Sequence, residues 1–157
     1  MLTPSPVQTS YSRYLTVAQN GMKASAINWT VDTRIVETSA GIGFGLAVSQ
    51  GSVSDRGCIL GGSAFVGVTH VDITLPASTQ LTVDKYAHYD NAAIMVTGDL
   101  WVVTEDAVTA GEAVYYNTST GQLGHSGGTV IEDARWMTSA DALGLAVVRI
   151  GNIAGNR

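Results

Sequence analysis

Ala92-Ala-Ile-Met-Val-Thr-Gly-Asp-Leu-Trp-Val-Val103 carries two apolar runs, Ile94–Val96 and Leu100–Val103, on either side of Thr97-Gly98-Asp99. β-Branched and aromatic residues suit the pleated, half-buried surface of a strand. The glycine-centred step between the runs predicts a turn or a bulge. The same grammar extends in both directions. Upstream, Trp29–Val31, Arg34–Val36, Ile42–Val48, Cys58–Leu60 and Ala64–Ile73 read as strands, the last in a loose period-2 pattern that Pro76 ends. Downstream, Val108–Val114 is a turn entering a strand, and Tyr115-Tyr116 runs into the hairpin signal Asn117-Thr-Ser-Thr-Gly121. Gly124–Thr129 reads as a flexible loop, and Arg135–Thr138 and Leu143–Ile150 close the series. Helix is confined to two short candidates, near Val130–Ala134 and Ser139–Ala142. The expected fold is all-β, a small β-barrel or jelly-roll-like sandwich with an extended N-terminal arm.

The organisation expected is an arm over 1–26, a single β domain over 27–151 and a loose polar tail over 152–157. The arm has no acidic residue, holds Pro4 and Pro6, two of the three prolines, and shows no helical stripe. Tyr11, Arg13 and Tyr14 are its candidate contact residues for a partner surface or a neighbouring subunit. Tyrosine couples apolar area to a polar tip, which favours it at interfaces. Gly45-Leu-Ala-Val48 and Gly144-Leu-Ala-Val147 echo one another, which similar strands at matching places in one β domain explain.

Composition excludes several classes. The chain is 45% hydrophobic and only 13% charged, against about 25% charged in a typical domain. That balance folds, and it leaves a surface of Thr, Ser, Asn, Gln and Gly suited to packing against other protein. The net charge of −5, with lysine only at 23 and 85, provides no basic stripe for phosphates. Nucleic acid and anionic membranes are therefore not expected partners. No apolar run approaches a membrane span, and the N-terminus lacks the pattern of a secretory signal. Cys58 has no second cysteine to pair with and reads as a buried apolar residue.

Chemical motifs are few. Gly124-His125-Ser126-Gly127-Gly128 matches G-x-S-x-G and looks similar to the serine loop of chymotrypsin-like proteases. His70 or His88, with Asp84, Asp90 or Asp99, stand in order to complete a triad around Ser126. Against this, a turn rather than a strand precedes the serine, and His125 stands where that family has aspartate. Asp84, His88 and Asp90 lie close enough to suggest a surface metal site, but the three histidines have no i,i+4 pairing. Glu105-Asp106 and Glu132-Asp133 read as solvated charges. Trp101 and Trp136 are assigned to the core, and Trp29 is the open candidate for a sugar-stacking platform. The expectation is a non-enzyme with no cofactor, no metal and no catalytic residue; a small serine hydrolase and a carbohydrate-binding module are the alternatives.

Three segments resemble the structural cement (decoration) proteins of tailed phages. They are Gly41-Ile-Gly-Phe-Gly-Leu-Ala-Val48; Gly98–Val103 with Val108-Thr-Ala-Gly-Glu-Ala-Val-Tyr-Tyr116 and Thr118–Gly124; and Trp136-Met-Thr-Ser139 with Gly144-Leu-Ala-Val-Val-Arg-Ile150. The resemblance spans most of 41–150. It implies a β-rich virion protein on the outer surface of the phage head, binding the major capsid protein and adding contacts between capsomers. It also implies a homo-oligomer, a trimer first and a dimer second, and it carries over no catalytic residue.

Overall fold

The structure, a computed structural model, describes residues 18–26, 28–71 and 85–151. The strands are β1 (Thr30–Val36), β2 (Ile42–Gly43), β3 (Ala47–Gln50), β4 (Gly57–Leu60), β5 (Phe65–Thr69), β6 (Lys85–Tyr86), β7 (Asn91–Val103), β8 (Ala113–Tyr116), β9 (Leu123–Gly124), β10 (Thr129–Trp136) and β11 (Leu145–Ile150). No helix occurs among the described residues. Both helix candidates are thereby corrected. Val130–Ala134 lies within β10, where pairing to β8 and burial of Ile131, Ala134 and Trp136 outweigh local preference. In the second candidate, Ala140 is bridged to Val108.

One strand organises the rest. The sheet order is β1-β4-β3-β5-β7-β11-β10-β8-β9, and a further pairing of β1 with β7 closes five strands into a barrel. The barrel form of the expected fold is the one realised. β7 has 13 residues, about 43 Å of strand at ~3.3 Å per residue. Its first half pairs with β1 and β5 in the barrel, and Gly98–Val103 pairs with β11 in a second sheet. That sheet curls back on the chain just past β7: Leu123 of β9 bridges Thr104, and the Glu105 N–H donates to the Leu123 carbonyl at 2.7 Å.

Thr97-Gly98-Asp99 is a bulge inside a continuous strand, not a turn. The register against β1 shifts between Thr30 and Val31, opposite Thr97 and Met95. Gly98 has φ 134, and a Cβ there would meet the Trp29 Cβ at 2.9 Å, so only glycine fits both the angle and the approach. The bulge resets which face of β7 is buried. Ala92 and Ile94 join Val36, Ile42, Val48, Cys58 and Tyr86 in one core cluster, while Met95, Leu100 and Val102 join Tyr116, Leu123, Trp136 and Val148 in the other. Trp136 is wholly buried, with its indole N–H donating to the Gly124 carbonyl at 3.2 Å. A Trp of this kind removes about 200 Å² from water, worth about 5 kcal/mol by area. Trp101, expected in the core, is only half-buried.

Residues 18–26 form a strap between barrel and second sheet. Gly21 and Ala24 donate to the carbonyls of Trp101 and Asp99, and Trp101 donates to Met22, along the free side of the second half of β7. On its other flank, Gly21 accepts from the Val71 N–H. The Asn20 side chain spans the gap, donating to the Phe44 carbonyl at 2.7 Å and accepting from the Val103 N–H at 3.0 Å.

Candidate functional site

The serine loop follows β9, at the far edge of the second sheet. Its chemistry is organised by a residue read as a solvated charge, Asp106. The Ser126 hydroxyl donates to Asp106 Oδ2 at 2.9 Å, the His125 N–H donates to Oδ1 at 2.8 Å, and His125 Nδ1 lies 3.0 Å from Oδ2. Burial pushes the Asp106 carboxyl up, but the His125 N–H, the Ser126 hydroxyl and the His125 ring outweigh it and hold it below the usual carboxylate range. A nucleophilic serine hands its proton to an imidazole; here the hydroxyl is turned to a carboxylate that pins the loop.

The triad residues suggested by sequence are engaged elsewhere. His70 follows β5 of the barrel, and His88 follows β6, which pairs with β2 in a separate two-stranded sheet. The His70 carbonyl accepts from the Tyr86 hydroxyl at 2.6 Å, and His88 stacks on Tyr89 at 3.7 Å. Asp90 accepts from the Ala87 N–H and Asp99 pairs with Arg149. Asp84 lies outside the described residues, and among those residues no group of three metal-binding side chains gathers. No helix of the described residues is long and apolar enough to cross a membrane. Trp29 is 48% exposed, but the Lys23 ammonium sits 4.1 Å from its ring centroid and takes the place a stacked sugar would need on that face.

The junction between barrel and second sheet is held by Asp99. Arg149 grips it in a bidentate pair, Nε to Oδ1 at 2.7 Å and Nη2 to Oδ2 at 2.9 Å, and Ser25 of the strap donates at 2.9 Å. Burial raises the Asp99 pKa, while the Arg149 and Ser25 hydrogen bonds and the Arg149 charge lower it further, so the net direction is down.

The turn from Gly51 to Arg56, between β3 and β4, is heavily braced. Glu37, just past β1, accepts the N–H groups of Ser52, Val53 and Ser54 at 2.9 to 3.2 Å. A Cβ at Gly57 would stand 1.7 Å from Glu37 Oε1, so glycine there makes room for the carboxylate. Desolvation raises the Glu37 pKa, and the three N–H bonds outweigh it and bring it below the usual range. Arg34 and Arg56 share Asp32 at 3.0 and 2.8 Å, and Arg34 also donates to Gln50 at 2.6 Å. At the tip of this frame Val53 is 82% exposed. Tyr89, 70% exposed with φ 68, belongs to an adjacent turn whose N–H donates to the Val36 carbonyl. Rigid supports beneath exposed apolar tips suit recognition, because little ordering remains to be done on contact.

An open groove of about 580 Å³ lies on the second sheet, lined by Val130, Glu132, Asp133 and Met137 with Arg135 and Arg149. A wide bulge in β10, between Ile131 and Arg135, shapes it, with Asp133 at φ 58. The lining sets two acids, Glu132 and Asp133, beside two arginines, Arg135 and Arg149; along the sequence, however, charge is uneven. Thr104–Ala134 holds five acidic residues and no Lys or Arg, while the rest of the chain balances eight against eight. The net −5 therefore resides entirely on this part of the sequence. Tyr11, Arg13 and Tyr14 lie outside the described residues.

The fold has relatives among solved phage structures. A chain of "The capsid of Myoviridae Phage XM1" is similar with a TM-score of 0.68 at 15% identity, over 95% of this chain and 99% of that one. A chain of the head fiber gp8.5 N base of bacteriophage phi29 is similar at 0.47 and 12% identity, over 79% of this chain and 95% of that one. No curated protein sequence matches. The profile of the structural cement proteins (E217 gp24/Pam3 gp6) matches residues 7–151, and this chain therefore belongs to the structural cement protein family of phages.

Proposed function

We propose that this cement protein, a structural component of the virion that associates with the capsid, binds the outer surface of an icosahedral head as a closed homo-oligomer, a trimer at local threefold positions in preference to a dimer at twofolds, and ties neighbouring capsomers together. The family match over residues 7–151 carries this reading. Symmetric closure is the norm for homo-oligomers. A ligand that binds only the expanded lattice stabilises that lattice by mass action, and weak contacts repeated over a closed shell add through multivalency. The braced tips at Val53 and Tyr89 and the arm residues Tyr11, Arg13 and Tyr14 are the groups proposed to make such contacts.

The test is co-sedimentation of the purified protein with expanded heads that lack it, using unexpanded shells as control. Saturable binding to expanded heads, at a stoichiometry matching a symmetry axis, is expected; absence of binding to either shell refutes the reading. The chain is further proposed to be non-catalytic, supported by the Ser126 hydroxyl donating to Asp106. A fluorophosphonate probe is expected to label the protein no more than its Ser126→Ala variant.

A further inference from the structure

We propose that Asn20-Gly21 is a self-modification site held shut by the docked strap. The dipeptide deamidates when residues 18–26 leave the sheet, and the product no longer fits its place there. This is independent of the head-binding reading. Of the six asparagines in the chain, Asn20 alone precedes a glycine. Asparagine is a thermolabile residue, and a following glycine, with no Cβ, leaves its own nitrogen free to approach the carboxamide. The fold demands both residues. The side chain at 20 must give a donor to the Phe44 carbonyl at 2.7 Å and an acceptor to the Val103 N–H at 3.0 Å, and a carboxamide supplies both. Gly21 has φ 81, and a Cβ there would stand 2.9 Å from the Phe44 Cβ and 3.2 Å from the Thr69 carbonyl oxygen, so no side chain fits.

The contacts that require this pair also disarm it. In the reaction the Gly21 nitrogen gives up its proton and attacks Asn20 Cγ. An N–Cγ bond forms, the Cγ–Nδ2 bond breaks, and Nδ2 leaves as ammonia with the proton. Water from the solvent then opens the cyclic imide at either carbonyl, leaving aspartate or its isomer. In the docked strap the Gly21 N–H donates to the Trp101 carbonyl at 2.7 Å, Gly21 is buried, and the carboxamide is held at both ends. Neither group is free to turn toward the other. Once formed, the product is wrong for the site. A carboxylate has no hydrogen to donate, so its oxygen would face the Phe44 carbonyl across the distance that now holds a hydrogen bond. Two acceptors set against each other without a proton oppose docking, and the isomer also adds an atom to the backbone just before Gly21. Strap release is thereby recorded in the covalent chain.

Two measurements on the full-length protein test this. Wild type is incubated in mildly alkaline buffer, folded and in urea, and Asn20 is followed by mass spectrometry in the tryptic peptide Tyr14–Lys23. Deamidation at least tenfold slower in the folded protein is expected; equal rates, or no deamidation in urea, overturn the inference. The second measurement is hydrogen exchange on Asn20→Asp, and on wild type deamidated in urea and refolded beside a fresh refolded control. The amides of Gly21, Ala24 and Trp101, which tie the strap to β7, are expected to exchange at least tenfold faster, while the pairing of β7 with β11 stays protected. Unchanged protection of those three amides overturns the claim that the product cannot dock.

Discussion

Replacing Arg149 by methionine should destabilise the protein strongly, and in a way that depends on pH. Asp99 is 5% exposed, and its carboxylate holds two hydrogen bonds from Arg149 and one from Ser25. Arg149→Met keeps the stem length and leaves the carboxylate with the serine alone. Breaking a fully buried pair in this way costs about 3–5 kcal/mol. The Arg149 side chain is 23% exposed, so water can partly replace it, and about 2–3 kcal/mol is the appropriate figure. For a chain of this size that corresponds to a fall in Tm of about 4–12 °C. The folded-state pKa of Asp99 is depressed, so its stabilisation is complete above the unfolded value of about 3.9 and is lost as pH falls through the lower folded value. The penalty of Arg149→Met should accordingly be largest near neutrality and shrink below about pH 4. Removing both charges, Asp99→Leu with Arg149→Met, should recover most of the stability, because a well-packed apolar pair can replace a buried ion pair at little cost. Urea melts of the three proteins at pH 7 and pH 3.5 measure all of this. A single variant within 1 kcal/mol of wild type at pH 7, or a penalty that does not shrink in acid, would refute the claim that this pair locks the junction.

Three further perturbations probe other parts of the argument. Asn20→Ala removes both bonds of the strap's bridging amide and should cost about 2–3 kcal/mol in chemical denaturation; a loss under 0.5 kcal/mol would mean the strap is not a structural tie. Leu143 is 71% exposed with φ 61, a conformation that costs a bulky L-residue about 1 kcal/mol and that asparagine tolerates better. Leu143→Asn should therefore raise Tm slightly, and a lower Tm would show that the leucine packs usefully. Glu37→Ala should speed amide hydrogen exchange at Ser52, Val53 and Ser54 while leaving β7 protected. In the wild type the same loss should appear only at pH below the usual carboxylate range, since the Glu37 pKa is lowered; exchange unaffected by the substitution would dismiss the bracing role.

The local grammar of this chain was legible because it is written in neighbouring residues. Apolar runs of strand length, glycines between them and the Asn117–Gly121 hairpin signal follow from sterics and side-chain burial over a few positions, and they marked an all-β chain. The mixed pattern of Ala92–Val103 was harder to resolve. Apolar residues on both sides of Gly98 could belong to two strands or one, and only the pairing of one continuous β7 with β1, β5 and β11 shows that it serves two cores with a bulge between. The helix reading of Val130–Ala134 failed for a related reason, since five residues carry too little periodicity to compete with pairing to β8. The polar residues that matter most were invisible to spacing. Glu37 meets Ser52–Ser54, Asp106 meets His125 and Ser126, Asn20 meets Val103, and Asp99 meets Arg149, across separations of 15 to 83 residues. A carboxylate or amide carries no local mark of the backbone group it will satisfy. Sequence alone determined that this chain would be strands with a low-charge surface, because burial and backbone sterics act between near neighbours. Tertiary structure alone decided the barrel's closure and the pinned serine loop, because each depends on which distant groups the closed sheet brings within hydrogen-bonding reach.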